Sequence, residues 1–472
     1  MKVFFHNKRY LDYRMRLEGL LIFTLLIIFI SVMQGASTTH AQTAEADTLL
    51  TEDKNHPEYS LTELYKIALE RSEKVQISEE DLIIAEREKD KARSAYLPTI
   101  SAFGDYMRYS ESKLSETPFG SFAIQPDHSA SWGLRLDETL SLSGREFTAY
   151  NISKMGIDTS RYDLYAVMED YLLTVAESYY NVLKAHKAIE IATSNVERLT
   201  EHRDAAEVRL RVGDVTKTAL LRAEAELSGA QAKLVEAKNF LNLSKAVLAR
   251  VVGIEGDFSV QEYVPVKGET LDLAVLKQEA LAERVELKSS MIQKKMAEDE
   301  IRYKKGAYWP TLSVEGVYAR MDEDPSSPFF LKESIYGVLR LNFPFYEGGL
   351  RKAEVKQAEA QYKQSELMYE DLKKSISIEV EDAYLNLVTQ KEILESLQDQ
   401  VIFAKDNYNA VSKQFDFGLA HSVDVMDANT SLVEAEIDFF RAQYDYQLSI
   451  IRLKRATGAL LKTVVDLNTE GE

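Results

Sequence analysis

Cysteine is absent from all 472 residues. That excludes disulfides, thiolate metal sites and a lipid attached to an N-terminal cysteine. Proline occurs nine times, and none falls in residues 146–212 or 351–417, where Gly156 is also the only glycine. Stretches so free of helix breakers can run as very long single helices. Basic residues are in deficit, 57 Lys and Arg against 76 Asp and Glu, for a net charge of −19. An acidic chain does not suit nucleic-acid binding. No apolar run beyond residue 33 is long enough to cross a bilayer as a helix.

The amino terminus reads as a secretory signal over residues 1–41. Lys2, Lys8, Arg9, Arg14 and Arg16 precede an apolar stretch from Leu20 to Met33, and Thr39-His40-Ala41 precedes Gln42 as a cleavage site. A membrane anchor is the alternative, disfavoured because the stretch falls short of about 20 residues. Without residues 1–41, which carry five basic and two acidic residues, the net charge moves from −19 to −22. Residues 42–58 are then an N-terminal segment of the exported chain.

What is present is a long repeat. Leu97-Pro98-Thr99 returns as Trp309-Pro310-Thr311, 212 positions on. Further along the offset falls to 205: Tyr179 matches Tyr384, Gly213 matches Gly418, Arg250 matches Arg455 and Gly253 matches Gly458. The change of seven belongs between residues 106 and 132. A unit of this length is a duplicated half, since solenoid repeats span about 20–50 residues. The halves divide as 59–258 and 271–460, joined by a linker at 259–270 and followed by a tail at 461–472.

Each half predicts helix, strand, loop, strand, very long helix, tight turn, long helix. The first helix covers about 59–95 and again 271–307. The very long helix covers 146–212 and again 351–417, about 100 Å each at 1.5 Å per residue. After the turn, Leu227, Ala230, Leu234, Ala237, Leu241, Ser244 and Leu248 keep a strict 3-4 spacing, repeated from Leu432 to Leu453. A 3.5-residue seam marks supercoiled helices packed along one another.

Between the helices the period changes to 2. Ile100, Ala102, Gly104 and Tyr106 alternate with Ser101 and Asp105, Trp132, Leu134 and Leu136 alternate with Arg135 and Asp137, and the second half repeats this at Leu312–Tyr318 and Leu339–Phe343. Polar loops at about 107–131 and 319–335 join the strands of each half. A half-buried soluble hairpin alternates in the same way. Four strands on helices of this length have no soluble core to rest on, however, and the smallest membrane barrels have eight strands. Membrane crossing therefore requires several chains to share one barrel. Pro98, Pro310 and Pro344 fall at strand–helix junctions, where proline stops a helix and turns the chain.

The turn from Phe415 to Ala428 is the tightest local signal. Gly418 suits a left-handed C-terminal cap, and Ser422 suits the N-cap of the outgoing helix. Asp424 and Asp427 sit three apart on one helix face. Acids in a first turn are also explained by the helix dipole alone. Repeated by symmetry at a pore mouth, they would instead form carboxylate rings that favour cations. The first half has Ala219 at the place of Asp424, with Lys217 and Arg222 close by after Gly213.

Three motifs, Gly418-x5-Asp424-Val425-x-Asp427-Ala428, Phe343-Pro344-Phe345-x-Glu347-Gly348-Gly349 and Ala456-Thr457-Gly458, resemble the TolC family of outer-membrane efflux proteins over about residues 59–460. The resemblance implies an α+β membrane protein, a homotrimer whose four strands per chain make a 12-stranded outer-membrane β-barrel. It also implies a periplasmic α-helical coiled-coil barrel, a closed tip, and partners in a periplasmic adaptor and an inner-membrane pump of the RND, ABC or MFS type. Asp424 and Asp427 match the acids of the entrance constriction. Phe415 stands where the family has a tip-locking Tyr, and Ala420 where it has a basic partner. The expected role is a passive exit duct in outer-membrane lipid, with no enzymatic site and no cofactor or metal. Gly-rich phosphate loops, His-Glu-x-x-His and Gly-x-Ser-x-Gly are all missing. A periplasmic coiled-coil adaptor or structural protein is the rival reading.

Overall fold

The computed structural model describes residues 57–118, 120–262, 272–326 and 330–469. The expected signal lies outside these residues, as do most of the 42–58 segment and of the 259–270 linker. The described residues begin with β1 (Glu58–Tyr59), α1 (Leu61–Arg71) and α2 (Glu73–Ser94), and continue through β2 (Thr99–Arg108), β3 (Lys113–Thr117), β4 (Gly120–Gln125) and β5 (His128–Ser141). Next come α3 (Arg145–Arg211), α4 (Lys217–Val252), β6 (Ser259–Val260), α5 (Leu273–Glu283), α6 (Val285–Gly306), β7 (Thr311–Asp324) and β8 (Glu333–Asn342). The series closes with α7 (Leu350–Asp416), α8 (Ser422–Thr457) and α9 (Leu460–Thr469).

Helices α3 and α7 are both 67 residues long, and α4 and α8 are both 36. The ends of α3 and α7 fall within one residue of the expected 146–212 and 351–417, and glycines stop all four helices. Gly213, Gly253, Gly418 and Gly458 have φ of 81°, 76°, 74° and 74°, the left-handed region that closes a helix at little cost only for glycine. Helix α3 packs on α4, and α7 on α8, along the 3-4 seams; Leu227, Ala230, Ser244 and Leu248 are buried, as are Leu432, Ala435, Ala442, Ser449 and Leu453.

Four expectations are corrected. The helix expected at 59–95 is two, because Ser72 turns extended (ψ 122°) and its hydroxyl caps α2 at the Val75 N–H. The helix expected at 271–307 also breaks, at Arg284 (ψ 120°), whose guanidinium binds Glu286 and Glu379 and the Ala456 carbonyl. The loop expected at 107–131 contains the β3–β4 hairpin, in which Pro118 and Gly120 flank the reversal. Finally, the expected tail from 461 begins with α9, where Leu460 and Val464 are buried in the largest apolar core.

That core joins Leu64, Tyr65 and Ala68 of α1 to Leu172, Val175, Tyr179 and Tyr180 of α3 and Leu248 and Val252 of α4. The Tyr171 hydroxyl donates to the Val251 carbonyl at 2.5 Å, and that of Tyr179 to the Gln261 carbonyl at 2.6 Å. A parallel pairing of β1 with β6 ties down both ends of this region. A second core gathers Leu276 and Ala280 of α5, Leu287 of α6, Ile376 and Val380 of α7, and Leu453 and Ala456 of α8.

The four long strands form one antiparallel sheet in the order β2-β5-β7-β8. Its register places Ile100 opposite Leu136, Ala102 opposite Leu134, Leu134 opposite Tyr318, Tyr318 opposite Ile335, and Val314 opposite Leu339. One face is therefore apolar across all four strands, and it is bare: Ile335 is 83 % exposed and Leu339 75 %. The other face carries Ser101, Asp137, Glu315 and Arg340, with Arg135 set 3.6 Å from Glu315. No helix among the described residues is long and apolar enough to cross a membrane.

Candidate functional site

Two places in this fold bear on function, the sheet with its junctions and the two helix turns. At the junctions, Pro98 immediately precedes β2 and Pro310 immediately precedes β7, while Pro344 follows β8 by two residues. Proline fits each position because it needs no ladder donor at a strand end. The Pro310 carbonyl also accepts from the Leu142 N–H at 3.0 Å, binding this junction to the end of β5. Exposed aromatics collect on the same segments, among them Trp309, Phe343, Phe345 and Tyr346.

The α3–α4 and α7–α8 turns are built alike. After Gly213, the Asp214 N–H donates to the Arg209 carbonyl at 2.9 Å; after Gly418, the Leu419 N–H donates to the Gln414 carbonyl at 2.8 Å. Their N-caps differ. Thr216 caps α4 through its hydroxyl, which accepts from the Ala219 N–H at 3.3 Å. On α8 the cap position belongs to His421, not to Ser422 as the sequence suggested. Asp424 completes that cap from inside the helix, its Oδ2 accepting from the His421 N–H at 2.8 Å. A carboxylate there also faces the positive end of the helix dipole.

Asp424 and Asp427 are both exposed on the first turns of α8. Among the described residues, neither forms an ion pair. Each turn also presents large apolar groups to solvent, Val212 and Leu221 on one and Phe417 and Leu419 on the other. Phe415, by contrast, is buried (3 % exposed).

What covers Phe415 was not visible in the sequence. His202 of α3 lies against its ring with centroids 4.8 Å apart, and the Arg209 guanidinium sits 4.3 Å from the ring centroid. His202 Nε2 is 2.9 Å from the Ser422 hydroxyl, which explains why Ser422 is buried rather than capping. Arg209 also donates to the Asp416 carbonyl at 2.7 Å and lies 3.7 Å from the Asp214 carboxylate, so one side chain holds both turns. Behind this layer the Asn429 amide donates to Asn195 Oδ1 at 2.7 Å, Arg198 donates to Asn429 Oδ1 at 2.9 Å, and Arg198 lies 3.5 Å from Glu436. Seven polar residues, Asn195, Arg198, His202 and Arg209 on α3 and Ser422, Asn429 and Glu436 on α8, thus lock the two hairpins together; a buried His on a helix carries no local motif that announces such a partner.

The family model for outer membrane efflux proteins matches residues 64–254 and 276–459. The chain belongs to the outer membrane efflux protein family. It is 27 % identical to the outer membrane protein TolC of Vibrio cholerae over 313 residues, covering 64 % of this chain and 71 % of that one. It is 23 % identical to TolC of Escherichia coli over 417 residues, 85 % of this chain and 82 % of the relative. Among solved structures, CusC superposes with a TM-score of 0.75 at 18 % identity, covering 85 % of this chain and 93 % of CusC. The open state of the MtrE outer membrane channel of Neisseria gonorrhoeae gives 0.72 at 19 %, covering 90 % and 99 %. This outer membrane efflux protein therefore has the TolC-like fold and is an efflux channel protein of a Gram-negative outer membrane; its family is one of transport proteins, not of enzymes.

Proposed function

We propose that three copies of this chain assemble into a passive exit duct, with twelve strands closing one barrel in the outer membrane and the long helices continuing as a tube through the periplasm. The observation that carries this reading is the sheet: four antiparallel strands, apolar and bare on one face, largely polar on the other, with β2 and β8 left as open edges. Open edges and a lipid-ready face are both satisfied when neighbouring copies continue the ladder into a closed barrel. The duplicated halves, 59–258 and 271–460, then give six similar hairpin units around the axis.

Within the duct the turns form the periplasmic entrance. Asp424 and Asp427 become two carboxylate rings there, with Gly213, Gly418, Phe415 and Ser422 shaping the hairpin tips and Pro98, Pro310 and Pro344 the strand–helix junctions. Such rings attract cations and repel anions. The energy for export comes from a separate inner-membrane pump of the RND, ABC or MFS type, reached through a periplasmic adaptor. Residues 1–41 direct export and are removed.

Planar-bilayer recording of the purified protein tests this. The wild type should be cation-selective and blocked by multivalent cations, and Asp424→Asn with Asp427→Asn should weaken both properties. Unchanged selectivity and block would remove these acids from the entrance. A protein that gives no conductance and fractionates as soluble periplasm would be a coiled-coil adaptor rather than a duct.

A further inference from the structure

Between the two hairpin turns lies a buried titratable side chain. His202 is buried (8 % exposed), with the Phe415 ring 4.8 Å away and the Ser422 hydroxyl 2.9 Å from Nε2. It therefore bridges three helices, reaching from α3 to the end of α7 and the start of α8. Arg209 already occupies the Phe415 ring, 4.3 Å from its centroid. A second cation at His202 would share that ring with the first, out of water. We propose that His202 is a proton-operated latch of the tip, closed while the imidazole is neutral and released when it is protonated.

The charges around the ring agree with this direction. Burial and then the Arg209 cation push the imidazole below its ordinary value of 6.5, while Asp416 at the end of α7 acts the other way. From α8 it meets the neutral Ser422, and α4 contributes no charge that acts on it. A lowered value means that the packed tip favours the neutral ring. The latch is therefore complete above the ordinary histidine range and is lost as the pH falls through the lowered value. Its stability is spent locally, because only the contacts of Phe415, Ser422 and Arg209 are broken when the ring leaves.

The proposal rests on the duct reading, and one set of bilayer recordings separates the two. The wild-type conductance should rise by about threefold or more between about pH 7.5 and about pH 5. His202→Gln keeps a neutral donor and acceptor near Ser422 and should abolish that rise. Arg209→Gln removes the nearby cation and should move the midpoint to higher pH. Asp424→Asn with Asp427→Asn should leave the rise in place, since the entrance acids are not its source. Assembly of each variant is followed by size-exclusion chromatography in detergent. A conducting wild type with no pH dependence, or a rise that persists in His202→Gln, overturns the latch alone. Absence of conductance at every pH overturns the duct and the latch with it.

Discussion

Replacing Glu169 by Gln should stabilise this protein, and increasingly so as the pH rises. Glu169 lies on α3 beneath the first turn of α9 and is 3 % exposed, and its Oε2 has no hydrogen-bond partner among the described residues. Burial, and then the neighbouring Glu286 carboxylate, push its carboxyl up from 4.5 to about 7, against the opposing pull of the Leu461 N–H, Arg455 and Arg284. The folded protein thus holds the proton more tightly than the unfolded chain, and the associated stability is complete below 4.5 and lost as the pH rises through 7. The full shift is worth about 3 kcal/mol, most of it lost between about pH 5 and about pH 8. Gln keeps the volume, supplies two donors and cannot ionise. Thermal unfolding in detergent at one fixed scan rate should show Glu169→Gln melting about 3 °C above the wild type at about pH 8, with the two converging near about pH 5. The opposite sign would refute the reasoning. If Glu169 works as an ionised partner of Arg455 and Arg284, Gln will lower the melting temperature at every pH above 5 or so.

Gly133→Ala should disrupt the four-stranded sheet, because an added Cβ would lie 2.1 Å from the Tyr318 carbonyl oxygen and 2.8 Å from the Phe103 ring; a cost of about 1–3 kcal/mol is expected, read as a lower unfolding temperature in detergent. Arg284→Met should destabilise by about 1–3 kcal/mol, because Arg284 is buried and its loss leaves Glu286 and Glu379, which it engages at 2.9–3.0 Å, to the Arg455 guanidinium. Adding Glu286→Gln should return part of that loss, measured by thermal unfolding as a double-mutant cycle.

The long helices were legible nearly to the residue, because their signals are local. A 3-4 spacing of Leu, Ala and Ser sets the face, and glycine at 213, 253, 418 and 458 sets the ends. The sheet was legible in kind, since alternation at Ile100–Tyr106 and Trp132–Leu136 needs only a period of two. The breaks at Ser72 and Arg284 were hidden for different reasons. Ser72 is tolerated inside a helix, and Arg284 is bent by partners at Glu379 and Ala456 that lie far along the chain. The β3–β4 hairpin lay under Ser- and Glu-rich sequence that reads as loop, although Thr117-Pro118-Phe119-Gly120 carried a turn signal. His202 had no such signal, because what makes it functional is Ser422, 220 positions away.

The two turns explain why the halves can diverge at one position without changing shape. Thr216 supplies its own cap to α4, so Ala219 has no structural duty and any small residue serves there. His421 makes no such cap, and Asp424 closes the α8 terminus by accepting from the His421 N–H. The carboxylate at 424 therefore has a task in the fold besides the one proposed for it at the entrance, whereas the Asp427 side chain carries its charge without a hydrogen-bonding task. This division decides how the acids must be altered. Asn at 424 keeps an acceptor for the His421 N–H and removes only the charge, so the Asn pair reads electrostatics. Ala at 424 would also leave that N–H unmet, at about 0.5–2 kcal/mol, and would confuse a loosened helix end with a lost carboxylate ring. A selectivity change that appears with Asp427→Asn alone, where no cap is touched, is the one that charge by itself must explain.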